Sequence, residues 1–138
     1  MSESMAADVS VEQARDWIEA YKRAWITRDV EIAVSLFTDD ATYREGRFVP
    51  AMVGSEAIRN YWQSRVFEGQ RDVSFKYKLW AVSGAQCFAD YQANFTWLPI
   101  NGIMELDGVL RITFVPGGPG RRSLLCSLLE EWIDLRDG

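Results

Sequence analysis

Three long stretches in the second half of the chain alternate apolar and polar residues, over 73–81, 87–97 and 104–114. A period of two places successive side chains on opposite faces of a strand, so each stretch predicts a β-strand with one apolar face. Turn residues separate the stretches, at Ser83-Gly84 and over 99–102, which contains an Asn-Gly pair. The pattern therefore predicts an antiparallel meander of long strands.

The first half of the chain instead repeats apolar residues at helical spacing. Ser10 and Gln13 have the spacing of a capping box, so a first helix is expected to begin after Ser10. Asp29 is a predicted N-cap for a short second helix, and a third helix is expected to begin near Gly54-Ser55. Helices followed by a meander of strands indicate an α+β fold, with three helices packed on a mostly antiparallel sheet.

Two further strands are predicted. A short one over 41–46 lies between the second and third helices, and alternation along it places Ala41, Tyr43 and Glu45 on one face. The last, over 123–135, is apolar on both faces, and the helices can cover only one of them. We therefore expect a homodimer, in which a second copy covers one apolar row of this strand. The contact face is expected to carry that row, Leu125, Leu129, Ile133 and Leu135, or their neighbours on adjacent strands.

The composition excludes several kinds of site. The chain contains no histidine, so neither a Ser-His-Asp nor a Cys-His nucleophile can form, and zinc loses its usual imidazole ligands. Cys87 and Cys126 are too far apart for a redox motif, and they are expected to be structural thiols. Asp39-Asp40 is expected to end the second helix rather than to hold a cation. No metal and no cofactor are therefore predicted.

Charge and hydropathy restrict the partners. The net charge of -5 disfavours nucleic acid, because phosphate binding needs a basic patch, and Arg121-Arg122 is expected to be a solvated turn. No apolar run approaches the ~18 residues that cross a bilayer, so no membrane partner is predicted. The polar start of the chain does not resemble a secretion signal, and a cytoplasmic location is expected.

Residues 1–9 are expected to be a disordered tail, and 10–138 a single domain.

Several segments carry a resemblance to a known family. They are 20–30, the Leu-Phe-Thr-Asp-Asp-Ala-Thr-Tyr run at 36–43, 54–58 with 61–62, and Glu130-Glu131-Trp132. Together they resemble the nuclear transport factor 2-like superfamily and, within it, the SnoaL-like group. The resemblance implies a strongly curved sheet wrapped around the first helix into a cone, with an apolar cavity at its open end. It also implies a dimer through the convex face of the sheet.

Ketosteroid isomerase is the member of the superfamily that is chemically most similar by position. Its oxyanion-hole tyrosine falls on Tyr21, and its general-base aspartate falls on Glu45. The acid that supplies its second oxyanion donor falls on Leu110, which cannot donate, so the steroid reaction itself is not implied. Scytalone dehydratase and SnoaL-type cyclases use histidine, which this chain lacks.

The resemblance also places Trp132 in the cavity wall. Glu130 lies two residues earlier, on the same face of the strand, and is therefore predicted to enter the cavity as well. The predicted catalytic residues are Glu45 and Glu130, as a carboxylate acid/base pair, with the hydroxyl of Tyr21. The predicted ligand-binding residues are Trp25, Tyr43, Trp62, Tyr91, Trp97, Leu110 and Trp132.

Two functions are compatible with these features. The first is a small-molecule pocket protein for an apolar or aromatic metabolite, acting as a cofactor-independent isomerase, lyase or hydrolase. The second is a non-catalytic ligand-binding or protein-interaction domain of the same fold. An open cone with inward carboxylates favours the first function, and a closed, filled cone favours the second.

Overall fold

The first helix, α1 (Val11–Thr27), begins at the predicted capping box in a computed structural model that describes residues 8–138. The Ser10 hydroxyl accepts a hydrogen bond from the Gln13 N–H, and the Gln13 side chain accepts one from the Ser10 N–H, both at 3.0 Å. The helix ends at Arg28 in the left-handed region, with φ 56°. Asp29 then caps α2 (Val30–Ser35) by accepting from the Ile32 N–H at 3.0 Å.

The predicted disordered tail, 1–9, lies almost wholly outside the described residues. At its end, the Val9 N–H donates to the carbonyl oxygen of Gly84 at 2.9 Å, which joins the start of the chain to the turn after a long strand. Among residues 8–138, no helix combines the length and the apolar character needed to span a bilayer.

The remaining elements form one curved, open sheet and one more helix. α3 (Ser55–Tyr61) continues directly into a π-helical turn, Trp62–Phe67. The strands run in the order β2-β1-β6-β5-β4-β3, and neighbours are antiparallel except for the parallel pair β1 and β6. Their bounds are β1 (Phe37–Arg44), β2 (Met52–Val53), β3 (Gln70–Ser83), β4 (Gln86–Trp97), β5 (Gly102–Pro116) and β6 (Leu124–Asp137). The α+β prediction is thus confirmed.

The end of α2 differs from the prediction. Asp39 and Asp40 do not end the helix, because α2 ends at Ser35 and the chain is already in β1 from Phe37 onward. Both aspartates are exposed on that strand. β6 pairs with β1 on both sides of these two poor strand formers, at Phe37 and again from Thr42 to Arg44, so the strand continues across them. A local pattern does not reveal this long-range pairing.

The buried face of α1 lies in the concavity of the sheet. Trp17 stacks on Tyr21 with ring centroids 5.5 Å apart, and it meets the edges of Phe37 and Phe114. Its indole N–H donates to the carbonyl oxygen of Leu36 at 3.0 Å, so this large ring is buried with its polar atom satisfied. The aromatic cluster fixes α1 against β1 and β5.

A β-bulge in β6 determines which side chains face inward. Cys126 pairs with Phe114 and Leu128 pairs with Thr113, so Ser127 has no counterpart on β5. Cys126 and Leu129 are both fully buried although they are three residues apart. An extra residue in one strand reverses the alternation beyond it. After the bulge, therefore, the odd-numbered residues of β6 face the concavity.

This reversal corrects the predicted dimer row. Leu129 is buried, and Ile133 and Leu135 line the inner cavity, so this row faces the concave side of the sheet rather than the outer side. Leu125 lies before the bulge, paired with Val115, and is itself buried. The outer face of β6 instead carries even-numbered residues, including Trp132. The dimer itself stays a prediction.

Candidate active site

A cavity of about 380 Å³ lies between α1, β1, the π-helical turn and the inner face of the sheet. Most of its wall is apolar or aromatic. These residues are Trp25, Trp62, Val66, Phe95, Trp97, Met104, Leu106, Ile133 and Leu135. A mainly apolar cleft with a few convergent polar groups is the usual form of a small-molecule site.

Glu131, on β6, is the buried polar centre of this cavity. Its side chain is in the wall, yet the residue is only 5% exposed. Its two carboxyl oxygens accept hydrogen bonds from Tyr91 at 3.1 Å and from Tyr43 at 3.3 Å. Burial, reinforced by the nearby charge of Glu45, raises the pKa of Glu131 to about 8. At neutral pH this carboxyl is therefore mostly protonated.

A chain of hydroxyl groups leads from α1 to this carboxyl. The hydroxyls of Tyr21 and Tyr43 are 2.9 Å apart, and Tyr43 in turn contacts Glu131. Burial first, and then the charge of Glu131, raise the pKa of Tyr21 well above its ordinary value. Burial likewise raises the pKa of Tyr43. At neutral pH both tyrosines are therefore uncharged, and the hydroxyl of Tyr43 donates a hydrogen bond to the carboxyl group of Glu131.

Glu45 supplies a second carboxylate at the cavity wall. It lies immediately after β1, on the same side as Tyr43, and is only partly buried. The hydroxyl of Tyr61, at the end of α3, donates a hydrogen bond to Glu45. Burial, followed by the charge of Glu45, raises the pKa of Tyr61 well above its ordinary value. The cavity thus holds one buried, neutral acid and one more accessible carboxylate.

The match to a known family agrees with this architecture. A family model described as a SnoaL-like domain matches residues 18–127, which is most of the chain. The chain belongs to the SnoaL-like family. Its fold is that of the nuclear transport factor 2-like superfamily, as the resemblance implied. No curated protein matches the chain.

Solved structures share the fold of this SnoaL-like protein at low sequence identity. The epoxide hydrolase/cyclase-like enzyme SalBIII, which has a role in pyran ring formation in polyether salinomycin, is 20% identical with a TM-score of 0.75, over 92% of this chain and 97% of that one. A ketosteroid isomerase-like protein from Erwinia carotovora atroseptica is 18% identical with a TM-score of 0.65, and the match covers 89% of this chain and 96% of that one. A computationally designed 17-OHP binder is 15% identical with a TM-score of 0.75, over 91% and 98%.

The structure places Glu130 and Trp132 outside the cavity, contrary to the prediction. Glu130 accepts a 2.7 Å hydrogen bond from the Arg111 guanidinium, with which it forms an ion pair. The same guanidinium lies 5.6 Å from the ring of Trp132, which is 36% exposed on the outer face. The two residues do share a face, as alternation requires, but it is the convex one.

The bulge at Ser127 explains the error. Uniform alternation groups Cys126 with Glu130 and Trp132, whereas the extra residue turns Cys126 inward and the other two outward. The missed residue is Glu131, which shares its face with Leu129, Ile133 and Leu135. A carboxylate within that otherwise apolar row is the sequence signal that could have identified it.

The other predicted residues occupy three kinds of place. Tyr21, Trp25, Tyr43, Glu45, Trp62 and Trp97 are in the cavity wall, and their roles there stay predictions. Tyr91 stands behind the wall and reaches Glu131 through its hydroxyl. Leu110 does not line the cavity, because it is buried in the core beside Glu131, its pairing partner on β6. Position 110 thus carries no acid, but its partner on the neighbouring strand, Glu131, does.

Neither cysteine has the surroundings of a reactive or metal-binding thiol. Cys87 and Cys126 are buried and unbridged, and burial raises the pKa of Cys87 to about 12. Within 8–138, no cluster of three cysteine, aspartate or glutamate side chains has the arrangement of a metal site.

Proposed function

We propose that this SnoaL-like protein binds an apolar or aromatic small molecule and transfers a proton on it without a cofactor. The observation that carries the proposal is the Glu131 carboxyl, which is buried in the cavity wall and held by two tyrosine hydroxyls. An acid with a pKa of about 8 can both donate and accept a proton near neutral pH. A strongly perturbed acid in a cleft is a candidate catalytic group on physical grounds.

The proposed roles follow from burial and hydrogen bonding. Glu131, in its neutral form, donates a proton to the bound molecule. Glu45 is the more accessible carboxylate and accepts one. In the free protein Tyr43 donates to Glu131, so Tyr21 donates its one hydroxyl proton to Tyr43. When the molecule binds, Tyr21 turns this proton to an oxygen on which negative charge develops, since a hydrogen-bond donor stabilises that charge in a site shielded from water. A cofactor-independent isomerase, lyase or hydrolase can each use such an acid and base.

Exchange of a carbon-bound proton tests this proposal without knowledge of the natural substrate. The probe is 2-tetralone, an aromatic ketone whose protons beside the carbonyl exchange in D₂O and can be followed by NMR. We expect the protein to accelerate this exchange and Glu131→Gln to lower the rate at least about tenfold, the smaller end of general acid/base effects. Glu45→Gln is expected to act in the same direction.

The matched control is Glu130→Gln, because Glu130 is the neighbouring glutamate on the opposite face of β6. It is expected to leave the exchange rate unchanged. An equal loss of rate in the Glu130 and Glu131 variants, or wild-type exchange no faster than the buffer rate, would contradict catalysis by Glu131.

A non-catalytic binding domain is the second candidate. It is favoured by the fold shared with a designed 17-OHP binder, and by the internal hydrogen bonds that already satisfy both oxygens of Glu131. On this alternative, aromatic ligands quench tryptophan fluorescence, but no variant changes an exchange rate. The homodimer and the cytoplasmic location belong to either candidate and remain predictions.

A further inference from the structure

Arg65 is a cation at the edge of an otherwise apolar and acidic cavity. It lies on the π-helical turn, contributes to the cavity wall and is exposed to solvent. Its guanidinium lies 5.9 Å from the ring centre of Tyr61 and 5.5 Å from that of Trp97. Cation–π attraction to two aromatic rings favours this position of the guanidinium, and its N–H groups keep their hydrogen-bonding capacity.

No carboxylate among the described residues neutralises this cation. The ion pairs formed within 8–138 involve Arg59, Arg111, Arg121, Arg122 and Arg136. Glu45 is the nearby candidate by position, but Tyr61 stands between the two groups. The Tyr61 hydroxyl donates to Glu45, and the face of its ring is turned to Arg65.

A second donor on the same turn also lacks an acceptor. Of the buried side-chain polar atoms in the part of the chain described, the Nε1 of Trp62 is the one without a hydrogen-bond partner. Trp62 lines the cavity three residues before Arg65. A buried donor left unsatisfied is costly, so a water molecule or a ligand acceptor is expected to meet this N–H, and its residue lies in the cavity wall where a ligand can do so. π-helical turns of this kind are frequent at functional sites.

We infer that the occupant of the cavity is an aromatic or apolar molecule that carries one anionic oxygen group, a carboxylate or a sulfonate, bound by Arg65. This inference rests on the proposed function and narrows its ligand class. The anionic group lies at the π-helical turn, and the apolar body extends toward Glu131 and Tyr21. The neutral form of Glu131 contributes no repulsion to such a ligand at neutral pH.

Two fluorescent probes that share one ring system isolate the contribution of the anionic group. They are 8-anilinonaphthalene-1-sulfonate, which is anionic, and N-phenyl-1-naphthylamine, which has the same rings without the sulfonate. We expect Arg65→Gln to lower the affinity for the anionic probe about tenfold and the affinity for the neutral probe less than about twofold. This difference is what the loss of one charge-assisted contact produces. Arg65→Lys keeps the positive charge and is expected to retain part of the affinity for the anionic probe. Added salt is expected to lower the affinity for the anionic probe only.

Two controls locate the effect. Arg71→Gln removes an exposed arginine on β3 outside the cavity wall, and it is expected to change neither affinity. Trp132→Ala removes the exposed aromatic ring of the outer face, and it is expected to change neither affinity as well. Loss of anionic-probe binding in either control would place the probe elsewhere and overturn the inference.

The outcomes separate this inference from the function on which it rests. If both probes bind and Arg65→Gln affects them equally, or affects neither, the inference fails while a ligand-binding cavity stands. If neither probe binds the wild-type protein, the binding function and the inference fail together.

Discussion

The ring of Tyr91 lies across the bare backbone of Gly108, its paired neighbour on β5, and its hydroxyl reaches Glu131 on the strand beyond. A Cβ atom at position 108 would stand 2.9 Å from Cε1 of Tyr91 and 2.9 Å from the carbonyl oxygen of Trp132. Both distances are shorter than real Cβ atoms show. The glycine is therefore what allows a residue of β4 to hold a carboxyl on β6.

We predict that Gly108→Ala destabilises the protein by about 1–3 kcal/mol, since a buried methyl group must displace either the Tyr91 ring or a backbone carbonyl. Displacement of Tyr91 also removes a hydrogen bond that lowers the pKa of Glu131, so this pKa rises further. Urea denaturation measures the first effect, and NMR titration of the Glu131 carboxyl carbon measures the second.

Two variants serve as controls for Gly108. Tyr91→Phe keeps the ring and removes the hydroxyl, so it is expected to raise the pKa of Glu131 without steric strain. Gly102→Ala, at the start of β5, places its methyl group 3.4 Å from the flexible side chain of Ile100 and is expected to have a small effect. A stable Gly108→Ala protein with an unchanged Glu131 pKa would refute the proposed positioning.

Glu131 gives folding stability a defined pH dependence. Its pKa is about 8 in the folded protein, against ~4.3 for a free glutamate, so between these values the folded state binds more protons than the unfolded state. Stability contributed by the neutral acid is complete below the lower value and is lost as the pH rises through the upper one. We predict a loss on the order of 4 kcal/mol from about pH 5 to about pH 9.

The variant Glu131→Gln separates this effect from other titrations. It keeps the shape, removes the titration, and is expected to flatten the curve of unfolding free energy against pH, as measured by urea denaturation at several pH values. Glu130→Gln is expected to keep the wild-type slope. Parallel curves for the wild type and Glu131→Gln would show that this carboxyl is not the source of the pH dependence.

The homodimer, which stays a prediction, is expected to form through the outer face of the sheet. Trp80 and Trp132, which are 55% and 36% exposed, lie in one shallow depression together with Val109. The same depression is also lined by Asp90, Asp107 and Asp134. We predict that Val109→Asp, which replaces an apolar side chain with a further carboxylate beside these, converts a dimer into a monomer. Light scattering at tens of micromolar, roughly where specific interfaces persist, measures the change.

The control for this experiment is Glu12→Lys, on the exposed side of α1, which is expected to leave the molecular mass unchanged. A wild-type protein that is already monomeric under these conditions would rule out the homodimer at that concentration.

Any proton-transfer activity is predicted to be independent of metal. The chain has no histidine, and both thiols are buried, so the ligands that zinc and related metals prefer are not presented together. We expect the 2-tetralone exchange rate to be unchanged by EDTA. Stoichiometric zinc or iron after gel filtration, or activity lost to EDTA and restored by a single metal, would show the opposite.

Local patterns along the chain determined the elements of this fold. Capping by Ser10 and Asp29 specifies where the first two helices begin, because each side chain satisfies backbone N–H groups only a few residues away. Alternation specifies the strands, and it also places Tyr43 and Glu45 on one side of a strand that contains no bulge between them. These features depend on neighbouring residues, so a sequence reveals them.

Only the tertiary structure decided which carboxyl of the pair Glu130 and Glu131 enters the cavity. The choice depends on the bulge at Ser127, which arises from how β6 pairs with both β1 and β5. The stacking of Arg65 on Trp97 and the passage of Tyr91 over Gly108 likewise join residues that are distant in the chain. Alternation along a strand tells which side chains face inward only as long as the strand is regular. Beyond an irregularity, the inward-facing residues are determined by pairing with other strands, which alternation within one strand does not encode.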